Sequence, residues 1–109
     1  MATTYKVLGQ SNPSATTATT LYTVPSATNT VVSSISVANL AGSAATFRIA
    51  IRPAGAALAN QHYLAYDVTV AATDTTIVTA GITLGATDVI TIYALTANLA
   101  FSAWGSEIA

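Results

Sequence analysis

Between residues 45 and 52 the chain alternates: Phe47, Ile49 and Ile51 fall on one side of an extended segment, and Arg48, Ala50 and Arg52 on the other. A period of two marks a half-buried β-strand, whose successive side chains point to opposite faces. The same alternation recurs along the chain. In 30–39, the longest run, Val31, Ser33, Ile35 and Val37 oppose Val32, Ser34, Ser36 and Ala38. The second set is small and hydroxylated, as befits a solvent or interface face. In 62–70, Tyr63, Ala65, Asp67 and Thr69 oppose Leu64, Tyr66, Val68 and Val70, which puts Tyr63 and Tyr66 on opposite faces. Further strands are predicted at 5–9, 21–24, 75–79, 88–94 and 99–107.

The punctuation agrees. Asn12-Pro13 marks a polar loop over 10–18, and Pro25 ends a strand because it lacks an N–H. Pro53-Ala54-Gly55 stops the strand at Arg52, with room for one short helical turn in 56–61. Gly81 and Gly85 mark 81–87 as a loop, and 95–98 is a tight turn. No segment of ten or more residues keeps an apolar i, i+3, i+4, i+7 stripe, so alanine's helix preference is overruled. About eight antiparallel strands with polar connections predict an all-β sandwich, jelly-roll or immunoglobulin-like, with a small closed barrel as its rival.

Composition changes this picture in one respect. The 109 residues form a single domain, 1–109, yet only 6% are charged while 52% are hydrophobic. Soluble domains usually carry about a quarter of their residues as Asp, Glu, Lys or Arg. No window reaches the roughly 18 apolar residues of a membrane helix, so lipid is not the expected explanation. The start carries no basic region followed by an apolar stretch, so no secretory signal is expected. A β-rich module largely covered by partners or by copies of itself accounts for the scarcity of charge. Three basic residues are too few for the phosphate contacts of strong nucleic-acid binding. The absence of cysteine excludes disulfides and thiolate metal sites.

Candidate chemistry is sparse. His62 is the only histidine, and Asp67, Asp74, Asp88 and Glu107 are scattered singly, so no metal, cofactor or catalytic set is expected. No Gly-x-Ser-x-Gly marks a serine nucleophile, and an enzyme is not expected. Asp74 and Asp88 each precede a strand, where a short acceptor caps backbone N–H groups. His62 reads as a strand-end residue with an ordinary hydrogen bond. Four residues stand out as candidate interface positions. Arg48 and Arg52 share a strand face and suit carboxylates of a neighbouring subunit. Trp104 has opposite parity to Phe101 and, with Ile108, marks an outward apolar spot.

The runs Leu21-Tyr22-Thr23-Val24-Pro25, Thr30 through Asn39, Phe47-Arg48-Ile49-Ala50-Ile51-Arg52-Pro53-Ala54-Gly55, His62 through Asp67, Asp88 through Ala94 and Gly105-Ser106-Glu107-Ile108 together resemble small virion proteins of tailed bacteriophages, cyanophages included. The resemblance spans nearly the whole chain, and its motifs are ordinary strand-and-turn sequences. It implies a non-enzymatic structural subunit with a β-sandwich fold. The leading reading is a capsid decoration (cement) protein, made in the host cytoplasm and bound to the outer capsid surface. Its partners would be the major capsid protein and copies of itself, as a homotrimer, without nucleic acid or membrane. A neck, tail or fibre-associated adaptor is the alternative, and a carbohydrate-binding host-attachment module the third.

Overall fold

The computed structural model describes residues 2–79 and 81–109. Nine strands follow in order: β1 (Thr3–Ser11), β2 (Thr19–Thr23), β3 (Asn29–Asn39), β4 (Ala45–Arg52), β5 (Tyr63–Val70), β6 (Thr75–Val78), β7 (Ile82–Leu84), β8 (Val89–Ala94) and β9 (Leu99–Ile108). Two 3-10 turns, Pro53–Gly55 and Asn60–His62, lie between β4 and β5. β4 has the bounds its alternation predicts. The loop predicted over 10–18 is shorter because β1 runs on to Ser11, and β2 begins at Thr19, two residues before its predicted start. The loop predicted over 81–87 contains β7, three residues that pair with Thr30, Val31 and Val32.

All pairings are antiparallel and form two sheets. The first has the order β1-β9-β3-β6, with β7 also on β3; the second has the order β2-β8-β4-β5. β6 and β7 pair with successive stretches of β3 and act as one interrupted strand. That leaves four strands per sheet, with the chain passing from one sheet to the other at most connections. This is the arrangement of a jelly roll, one of the two sandwich types expected from the sequence.

The core lies between the sheets. Ile35, Val37, Leu99, Phe101 and Ala103 enter it from the first sheet, and Phe47, Ile49, Ile90, Ile92 and Ala94 from the second. Phe47 and Phe101 meet edge to face across the interior, their ring centroids 6.1 Å apart. That geometry sets one ring's positive edge against the other's negative face. Asn39, buried at the end of β3, donates from Nδ2 to the Ser43 and Val70 carbonyls and accepts the Ala41 N–H at Oδ1. Its amide thereby satisfies the backbone of the β3–β4 connection.

Bulges correct the expected faces. An extra residue opposite a single partner shifts a strand's parity by one. In β3 the shift between Val32 and Ser34 turns Thr30 and Val32 inward along with Ile35 and Val37, so Val31 faces out with Ser34, Ser36 and Ala38. Gly105, opposite Val32, makes the kink possible: a Cβ there would collide with the Val31 carbonyl. Gly9 plays the same part at the β1 bulge, where a Cβ would strike the Leu21 carbonyl.

Candidate functional site

The outward side of the first sheet is a surface without charge. The strand register lays its residues in rows: Thr3, Ile108 and Asn29; Tyr5, Ser106, Val31 and Thr83; Val7, Trp104 and Ser34; Gln10, Ser102, Ser36 and Ile77. No row contains Asp, Glu, Lys or Arg among the described residues. Tyr5, Val7 and Ile77 stand well exposed at 84%, 55% and 60%, and Trp104 sits between them at 37%. The polar groups between these apolar side chains partly satisfy one another: Gln10 Nε2 donates to Ser102 Oγ (3.3 Å), and Ser34 Oγ bonds Thr79 Oγ1 (3.2 Å). Apolar groups that share a face with short hydroxyls resemble the centre of a protein interface, where charged residues are depleted.

The first sheet's ionic groups face the other way. Lys6 pairs in register with Gly105, on the inward side, and its Nζ lies 3.3 Å from Glu107 Oε1. Tyr22 of β2 donates its hydroxyl to Glu107 Oε2 at 2.5 Å and lies 2.9 Å from Thr30 Oγ1. Burial, then the adjacent carboxylate, pushes the Tyr22 phenol up to about 12. The hydrogen bond from Tyr22, then Lys6, holds the Glu107 carboxyl below its ordinary value. Composition gave no sign of this network, since Tyr22, Lys6 and Glu107 lie far apart in the chain.

The outward side of the second sheet carries the two arginines. Arg48, Ala50 and Arg52 pair with Tyr93, Thr91 and Val89, so both arginines share one face as the alternation predicts. Their surroundings differ. Arg48 is neutralised within the chain: Nε donates to Asp67 Oδ1 at 2.7 Å and Nη2 to Oδ2 at 3.3 Å. Its guanidinium also lies over the Tyr66 and Tyr93 rings, 4.1 and 4.3 Å from their centroids. A bulge in β5 builds this contact by setting both Tyr66 and Asp67 opposite Arg48. Asp67 adopts a left-handed φ of 52°, which aspartate tolerates better than most residues.

A second bulge, at Leu64, corrects the expectation for the tyrosines of this strand. Tyr63 and Tyr66 do not lie on opposite faces; they touch edge to face, with centroids 4.9 Å apart. Parity fails here because one extra residue, Leu64, lies between Tyr63 and Tyr66. Arg52, by contrast, has no carboxylate partner among the described residues: Nε donates to Thr91 Oγ1 (3.0 Å) and Nη1 to the Ala56 carbonyl (3.2 Å). The arginines are therefore not an equivalent pair, and Trp104 and Ile108 lie on the other sheet.

The remaining polar candidates serve the backbone. Asp88 accepts the Gly85 and Ala54 N–H groups, and Asp74 accepts that of Thr75, as turn aspartates do. His62 Nδ1 accepts the Ala59 N–H at 3.1 Å. Among the described residues no three His, Asp or Glu side chains gather into a metal-binding group. The chain finds no match among protein-family models, curated proteins or solved structures.

Proposed function

We propose that this chain is a structural subunit of a tailed-phage virion, a capsid decoration protein that binds the shell and further copies of itself through the outward face of its first sheet. The observation that carries the reading is the charge-free face around Trp104. The sequence resemblance supplies the biological setting, and jelly rolls serve in capsids as well as in lectins. The molecule measures 45 × 27 × 20 Å. Its broad side therefore has room for the roughly 800 Å² per partner of a standard interface. A trimer engaging several shell subunits at once would make a weak single contact durable. Strand β1, at the sheet edge, offers backbone groups for the same purpose.

The test is a reconstruction of the particle with its copy number. A decoration protein is expected at hundreds of copies, on the order of the shell subunits, with the Trp104 face against protein. About a dozen copies or fewer, on a closed ring at the neck or tail, would transfer the reading to an adaptor. An assembled subunit with the Trp104 face open to solvent would overturn the proposed interface.

A further inference from the structure

Arg52 forms one wall of a half-open cleft of about 160 Å³, enclosed also by Ala18, Thr19, Thr20, Leu58 and Thr91. Lys6 and Arg48 each pair with a carboxylate, so Arg52 is the one cation without an anionic partner among the described residues. No acidic side chain lines the cleft. The guanidinium is also held in place. Its bonds to Thr91 and Ala56 fix the plane and leave Nη2 and one hydrogen of Nη1 free to donate. Thr91, which orients it, is itself buried at 7% exposure.

We propose that this cleft receives a single carboxylate, that of an acidic side chain on another protein chain. Three features select that ligand. A fixed planar fork matches a carboxylate's two oxygens. One positive charge balances one carboxylate, and the Ala18 and Leu58 side chains suit the short aliphatic stem that carries it. The volume lies below the roughly 300–1,000 Å³ of small-molecule pockets, so the cleft accommodates a side chain better than a free metabolite. The assignment stands apart from the virion reading, since any partner presenting Asp or Glu would satisfy it.

The test is an amide and Arg-Nε NMR titration of the full chain with sodium acetate, at ionic strength held constant with sodium chloride. The Arg52 Nε–H and the Thr19, Thr20 and Thr91 amides are expected to shift saturably, with a midpoint on the order of tens of millimolar. Arg52→Gln should abolish the shifts while leaving the rest of the spectrum in place. Arg52→Lys, which keeps the charge without the fork, should weaken binding several-fold. Shifts that persist in Arg52→Gln, or that chloride alone reproduces, would overturn the site. Saturation by inorganic phosphate or N-acetylneuraminate at a tenfold lower concentration than acetate would overturn the side-chain assignment in favour of a free anion.

Discussion

Tyr22 and Glu107 join the two sheets through one short hydrogen bond, from the phenol of β2 to the carboxylate of β9. Both groups lie where the inward sides of the sandwich meet its rim, with Thr30 buried beneath and Lys6 at the edge. The bond requires a protonated phenol and an ionised carboxylate. It therefore ties stability to pH at both extremes.

The signs are opposite for the two partners. Glu107 has a depressed folded pKa, so its contribution is present above the ordinary carboxylate value and is lost as pH falls through the folded one. Tyr22 is raised from 10.0 to about 12, so between those values the unfolded chain releases a proton that the folded chain keeps. Stability should fall over that alkaline window. Urea midpoints measured against pH should show both limbs. Glu107→Gln is expected to flatten the acid limb, and Tyr22→Phe to flatten the alkaline one. Unchanged limbs in both variants would mean that the bond is not formed in solution.

Gly105→Ala should destabilise the protein by about 2 kcal/mol or more, the cost of overpacking. The added Cβ meets the Val31 carbonyl, which the bulge in β3 holds rigidly. Gly42→Ala, with open space around it, serves as the control and should change the urea midpoint little.

Thr87 turns the chain into β8 with a φ of 66°, a left-handed conformation that β-branched residues rarely adopt. Its hydroxyl donates to the Ala86 carbonyl, and Asp88 holds the turn from the next position. Thr87→Asn should relieve the strain and raise stability by about 1 kcal/mol, because asparagine enters this region more readily. Thermal unfolding measures the difference, and a loss of stability would show that the threonine hydroxyl outweighs the strain.

Trp104→Ser should leave the monomer folded, with a stability change within about 1 kcal/mol, since the side chain is partly exposed. Self-association measured by sedimentation across a concentration series should be lost in this variant and kept in Tyr66→Ser on the opposite sheet. Association of the wild type should persist in about 1 M NaCl, where charges are screened within roughly 3 Å. Dissociation of the wild type at that salt concentration would count against a contact made through the charge-free face.

Sequence reasoning located the strands well where they were regular. β4 alternates without interruption and has its predicted bounds, and Trp104 lies opposite Phe101 in parity as read. It missed the changes of face at the bulges of β3 and β5. Nothing local distinguishes Ser33, Leu64 or Asp67 from neighbouring strand residues, yet each changes which side chains share a face. β7 was missed because three residues between glycines carry no period; it forms only because β3 offers it a partner.

What the sequence determined by itself was the all-β class, the turn roles of Asp74 and Asp88, and the scarcity of charge. These follow from period, local hydrogen bonding and counting. Tertiary structure decided where that scarcity falls. Antiparallel pairing brings Asp67 to Arg48 and Glu107 to Tyr22 and Lys6, so two of the three cations are neutralised within the chain. It leaves Arg52 alone in a cleft and one whole sheet face uncharged. Those outcomes depend on register between strands distant in sequence, which no local pattern encodes.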